Sequence, residues 1–280
     1  MRAAAVGAIL SFAHPAPLAA QSSGFPERPL AASVVAGGDA GTSSNHLDAV
    51  FLNPARAAVG KGIAMGYVTH PETGLRGYSL SGAFHAVLPV ALSVWRYEVA
   101  DLFDEELLVS DPSLASLGVF ATGVDLAIAA RIGAVLVGAG SSVEFQRNLT
   151  VDRQRLSSRL GVGLDLASWM AGASWTTLPG EPSDGVGRVM LLAKPLRTPW
   201  ILETGFEATW SSADGRWGLS TSVLAGHPAL KMIFGWRWHD MQPAAGMLLS
   251  VDRVSLGVAR EFGGRTTVGG LTALTVAMRW

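Results

Sequence analysis

The chain contains no cysteine, which removes disulfides, thiolate metal sites, iron–sulfur ligation and the lipid-modified cysteine of a lipoprotein. Charge is also scarce: charged residues are 15% of the chain against 49% hydrophobic, and the net charge is -1. No Lys/Arg cluster is present, so the sequence carries no electrostatic footprint for nucleic acid. Despite its apolar character, the chain lacks a long apolar run. The most helix-like stretch, Leu126 to Gly140, is broken by Arg131 and Gly133. It is shorter than the roughly 20 residues a spanning helix needs, and it reads as two strands meeting at a turn.

The hydrophobicity is instead distributed over many short segments, as a closed sheet facing lipid requires. The 33 glycines suit turns and crowded inward positions and would be costly inside helices. Nothing in the middle of the chain reads as a linker, so one large closed sheet is preferred to two domains.

Residues 1–20 have one basic residue, an apolar core from Ala3 to Ala13 and a Pro-broken end in small residues. That is the pattern of a secretory signal peptide cleaved after Ala20. Residues 21–60 form an amino-terminal extension, irregular to about Val35. Within it Asn53 is suited to N-cap a short helix that starts at Pro54 and stops at Gly60. Leu47, Val50, Phe51 and Leu52 give the preceding stretch an apolar side. So small a segment makes no core alone, and Phe51, Asn53, Pro54 and Ala55 are expected either as a plug inside a larger body or as a loop with one helical turn.

From Lys61 onward the dominant period is two. Tyr78, Leu80, Gly82 and Phe84 alternate with Ser79, Ser81, Ala83 and His85; Leu230, Met232, Phe234, Trp236 and Trp238 alternate with Lys231, Ile233, Gly235, Arg237 and His239. In the closing stretch, Leu274, Val276, Met278 and Trp280 share one row, and Ala273, Thr275, Ala277 and Arg279 the other. Period alone does not separate a sandwich, which turns its large row inward, from a membrane barrel, which turns it outward. The tryptophans near segment ends, Trp200, Trp210, Trp236, Trp238 and Trp280, favour the barrel, because aromatic girdles lie at membrane interfaces.

The segments predict an all-β, closed antiparallel transmembrane barrel over residues 61–280. Fourteen strands are counted, at about 61–69, 76–87, 89–98, 115–128, 132–147, 156–166, 169–178, 185–194, 200–210, 215–224, 229–238, 243–250, 253–260 and 266–280, with twelve as the alternative count. Linkers after odd strands, including 99–114, 148–155 and 179–184, are the longer ones. With both termini periplasmic they face outward.

On the inward rows, Glu203, Glu207, Lys231, Arg237, Arg260 and Arg279 are expected to form a lumen network. The acidic stretch Asp101 to Leu108 reads as a solvated loop or short amphipathic helix, with divalent-cation binding as the alternative. His85, with Ser79 and Ser81 on its row, is the one histidine worth weighing for an outer-membrane lipid hydrolase, but no second segment offers an orienting partner. No HExxH, metal cluster or phosphate loop appears; no catalytic, metal or cofactor-binding residue is assigned and no cofactor is expected.

After a Gly/Ala-rich run (Gly37-Gly38-Asp39-Ala40-Gly41) comes Phe51-Leu52-Asn53-Pro54-Ala55 and then the first strand; a later run spans Ser158 to Leu166. In these features the chain resembles the PorV/PorQ-like outer-membrane proteins, within the broader group similar to the FadL long-chain fatty-acid transporters. Leu52 stands where the family carries an aromatic residue. The resemblance implies a barrel, commonly fourteen-stranded, with an amino-terminal plug. It also implies a non-enzymatic role at the cell outer membrane, in passage or capture of small hydrophobic compounds or as a platform for a secretion or surface protein. Outer-membrane lipids are the expected surroundings.

Overall fold

The computed structural model describes residues 32–36, 47–70, 73–99, 118–149, 151–178, 181–196, 199–213, 215–239, 241–263 and 270–280. The signal-peptide reading, the acidic stretch 101–108 and the run 37–41 fall outside these residues. Fourteen strands follow one another: β1 Gly62–His70, β2 Leu75–His85, β3 Pro89–Val99, β4 Gly118–Ile132 and β5 Val135–Leu149. Then come β6 Val151–Asp165, β7 Trp169–Leu178, β8 Glu181–Leu196, β9 Ile201–Ser211 and β10 Trp217–His227. The ring is completed by β11 Leu230–Arg237, β12 Gln242–Val251, β13 Val254–Glu261 and β14 Thr272–Met278. Each pairs antiparallel with its chain neighbours, and β1 pairs with β14, so the sheet closes with no edge along the seam.

Burial decides which row faces which side. On β14, Leu274 is 40% exposed and its neighbour Ala273 only 1%. The same holds on β2, where Leu80 and Phe84 are exposed while Ser81 and Ala83 are buried. Large apolar side chains thus clothe the outside and small ones line the inside, the reverse of a soluble sandwich. An exterior of this kind is stable against hydrocarbon, not water.

Of the nine tryptophans, eight lie on the outward side. Trp169, Trp200 and Trp280 mark the end with the short turns; Trp175, Trp210, Trp217, Trp236 and Trp238 mark the other. Along one register line Trp175, Gly187, Trp210 and Trp217 stand side by side. Gly187 has no side chain to part the rings, so Trp175 and Trp210 approach to 5.7 Å. Trp200 and Trp210 bracket β9; ten residues of strand tilted as in such barrels span about 25 Å of membrane normal, the height of the apolar band.

The short turns lie between β2 and β3, β4 and β5, β6 and β7, β8 and β9, β10 and β11, and β12 and β13. The break inside Leu126 to Gly140 is the β4–β5 turn, where Gly133 takes φ +63, a value that favours glycine. Two expected linkers are largely strand instead: β5 runs to Leu149 and β6 starts at Val151, while β8 starts at Glu181. The ladder continues past the lipid because its cross-strand partners are complementary. Glu144 faces Arg155, and Arg147 grips Asp152 with Nε and Nη2 at 2.6 and 2.8 Å. The amino-terminal extension also departs from expectation: Ala32–Ala36 forms a helical turn, α1. Five residues give too little periodicity to be read in advance.

Candidate functional site

The lumen is occupied by the chain's own amino-terminal residues. Two 3-10 helices, Leu47–Phe51 and Pro54–Ala58, lie inside the barrel against β1 to β6; they are called the inner segment below. Asn53 is extended (φ -139), its side-chain oxygen accepts from Ala55 N–H at 3.1 Å, and Pro54 supplies the fixed φ of the first helical position. The Asn53 amide donates in turn to the Val162 carbonyl of β6 at 2.9 Å. One side chain therefore caps the helix and ties it to the wall.

The wall is cut to receive it. Gly138 on β5 and Gly161 on β6 face each other across the ladder. A Cβ at Gly138 would lie 2.5 Å from the Ala55 nitrogen, and one at Gly161 would strike the Asn53 side-chain oxygen. Side chains at these two positions would close the notch in which Asn53, Pro54 and Ala55 sit.

Below the notch runs a buried polar chain. Arg159 Nη1 donates to the Phe51 carbonyl at 2.7 Å, and its Nη2 pairs with Asp125. The other Asp125 oxygen accepts from the indole N–H of Trp95 at 2.9 Å. Arg159, Asp125 and Trp95 are all at most 3% exposed. The guanidinium and carboxylate satisfy each other, and the arginine has a donor left for the segment's backbone. Trp95 is the one tryptophan turned inward, with Tyr97 at 5.9 Å.

Apolar contacts complete the seat. Leu47, Val50, Phe51, Ala55, Ala57 and Ala58 pack on Ala64, Ala83, Ala91, Ala127, Ala129 and Leu136. His85 Nε2 lies 3.0 Å from the Ala57 carbonyl, in reach to donate to it. Buried Arg56 feels the opposing charge of Asp165 and the like charge of Arg131. On the other side of the lumen α1 packs on β11 to β14, and Ala32 N–H donates to the Thr275 hydroxyl at 2.8 Å.

The residues singled out from sequence distribute as follows. Phe51, Asn53, Pro54 and Ala55 are buried inside the barrel, against β4 to β6. Glu207 pairs with Arg188 at 3.3 Å, and Arg237 with Glu261 at 3.0 Å and Gln242 at 3.1 Å. Lys231 lies in the field of Glu203 and Arg279, apart from those pairs. Glu207 and Arg237 thus each have a partner from another strand. Arg260 does not join them: it shares the exposed row of Val254, Leu256 and Val258 and faces outward. The alternation along β13 dictates this, because Ala259 and Glu261 hold the inward positions. His85 and its row do not converge either, since Ser81 bonds Ser93 at 3.1 Å while His85 turns to Ala57. Among the described residues no three His, Asp or Glu side chains gather as metal ligands would.

Arg159, Asp125, Trp95, Arg188, Gln242 and Glu261 were not singled out from sequence. A charge or a tryptophan in mid-strand on the small-residue row is the signal that marks Asp125, Arg159 and Trp95.

No protein-family model and no curated protein matches the chain. Among solved structures it is similar to the Acinetobacter baumannii outer membrane protein Omp33, at 11% identity and TM-score 0.49 over 78% of this chain and 96% of that one. It is also similar to the KdgM porin, at 7% identity and TM-score 0.45 over 78% and 99%. A mutant of the Rh. blastica porin gives 8% and 0.44 over 78% and 98%. These values add nothing to the fold seen directly, and nothing among them points to PorV, PorQ or FadL in particular. The closed even-numbered sheet, apolar exterior and two aromatic girdles make the chain an outer-membrane barrel.

Proposed function

We propose that this barrel passes or captures small hydrophobic compounds at the outer membrane without chemical conversion, with Leu47–Ala58 as its plug. The observation that carries the reading is the character of the inner wall. Ala64, Ala83, Ala91 and Ala127 give a low, apolar surface beneath the inner segment, and Val68 and Ala121 belong to a second apolar cluster against α1. The lumen carboxylates Asp125, Glu207 and Glu261 each lie against an arginine. Such a wall suits an apolar solute better than a hydrated ion. The Asn53-Pro54-Ala55 resemblance to the PorV/PorQ and FadL-like proteins supports the same reading.

A platform for a secretion or surface protein is the alternative, and one observation favours it. The β6–β7 pairing runs only to Arg159 and Thr176, whereas β6 itself continues to Val151. Among the described residues, the top of the β5–β6 hairpin has no strand beside it on that side, and it offers backbone groups to a partner.

Proteoliposomes loaded separately with fatty acids, alkanes and small aromatics test the proposal. Protein-dependent uptake of at least one class is expected. Uptake should fall when Ala57→Cys and His85→Cys are joined by a short cross-linker that fixes the inner segment. Absence of uptake for every class, with a protein partner co-purifying stoichiometrically, would overturn transport in favour of the platform.

A further inference from the structure

The outer face of β2 to β6 is layered. Leu80, Val94, Val124, Val143 and Leu156 share one register row and belong to the lipid-facing belt. The next row toward the long loops contains Tyr78 and Arg96, with Tyr67 beside Tyr78 at 5.3 Å between rings. One row further stand Arg76, Glu98, Phe120, Arg147 and Asp152. The change from aliphatic to aromatic to charged over three rows is the profile of a bilayer boundary, here the outer leaflet.

Two guanidiniums converge on one ring in this boundary. Arg96 Cζ lies 4.8 Å and Arg147 Cζ 5.5 Å from the centre of Phe120. Glu98 takes Arg96 Nε at 3.0 Å, and Asp152 takes Nε and Nη2 of Arg147. Those bonds hold each head in place and use only some of its five donors. Both side chains remain open, at 50% and 40% exposure.

We propose that Arg96 and Arg147, spaced by Phe120, dock the phosphate-bearing headgroup of an outer-leaflet lipid whose acyl chains lie on Leu80, Val94, Val124 and Val143. The lipid is the fitting occupant because two half-exposed guanidiniums stand directly above the apolar belt. A phosphomonoester has the oxygens to receive two planar guanidinium forks, where a zwitterionic headgroup offers less.

The test uses the full barrel in neutral detergent, with native mass spectrometry and two probes: diphosphorylated lipid A and the same lipid dephosphorylated. The barrel should bind the phosphorylated lipid about tenfold more tightly than does the R96Q/R147Q variant, one lost charge-assisted contact being enough for that factor. The dephosphorylated lipid should bind both weakly and equally. R153Q, which removes an arginine from the inward row of the same hairpin, should behave as the parent. Equal affinity of the parent and R96Q/R147Q for the phosphorylated lipid overturns the proposal. So does displacement by millimolar inorganic phosphate, which would make this a free-anion site. If R96Q/R147Q does not assemble, R96K/R147K keeps the charge and loses the forks; it should lose part of the preference for phosphate, and an undiminished preference overturns the proposal.

Discussion

The two pieces of chain inside the barrel are held differently. The inner segment is fixed by directed bonds, Arg159 to the Phe51 carbonyl and Asn53 to the Val162 carbonyl, over a notch of opposed glycines. α1 lies mainly on an apolar wall, with Val35 and Ala36 fully buried, and among the described residues Ala32 N–H donates to Thr275. Directed bonds specify one position, whereas apolar contact tolerates sliding by a few tenths of an ångström. The inner segment should therefore be sensitive to single-atom changes, and α1 less so wherever its wall leaves room for a small shift.

The largest effect is expected for Arg159→Ala. It strands the Asp125 carboxylate in a buried site and removes the Phe51 tether, at a cost of about 3–5 kcal/mol. Denaturant unfolding in detergent, followed by tryptophan fluorescence, should show the loss, and limited proteolysis should cut within residues 47–58. A midpoint within error of the parent would dissolve the contrast.

Glycine replacements sharpen it. Gly161→Ala pushes a methyl into Asn53 and Pro54, and about 1–3 kcal/mol of strain should appear with increased labelling of a cysteine placed at residue 57. Gly257→Ala instead meets the Ala32 methyl at 3.2 Å, a contact α1 can relieve by a small shift; its midpoint should barely move.

A modest loss belongs to Thr275→Val, which keeps shape and removes the acceptor for Ala32 N–H. About 1 kcal/mol is expected. If calorimetry gave it a penalty equal to that of Arg159→Ala, α1 would have to be counted as specifically fixed too.

The exterior was legible from sequence for a physical reason. Lipid demands a large apolar residue at every second position, so rows such as Leu230, Met232 and Phe234 carry the strand phase in their composition. The end of β4 was marked by Gly133, which takes φ +63 in the turn. The interior was less legible, because it is written in register. Glu207 and Arg237 could be assigned inward from alternation, yet their partners Arg188, Gln242 and Glu261 come from other strands, and only the pairing of the sheet brings them close. Arg260 was misplaced by reading charge as inwardness and overlooking its own row. The heights of β5, β6 and β8 were underestimated because polar strands above lipid lack the apolar alternation that marks a strand.

The seam between β1 and β14 carries a consequence for biogenesis. The ring cannot shut until the last strand of the chain has been made, and its partner is the strand that directly follows the inner segment. Arg159, Asp125 and the Gly138–Gly161 notch all lie on β4 to β6, away from the seam between β1 and β14. The tether on β6 is thus available while the sheet is still open, and the amino-terminal residues can be seated on a half-built wall before the barrel closes around them. On that order of events the inner segment is a mould for the curving sheet as well as its filling, and a barrel that closes without it would have to reach the same curvature around water.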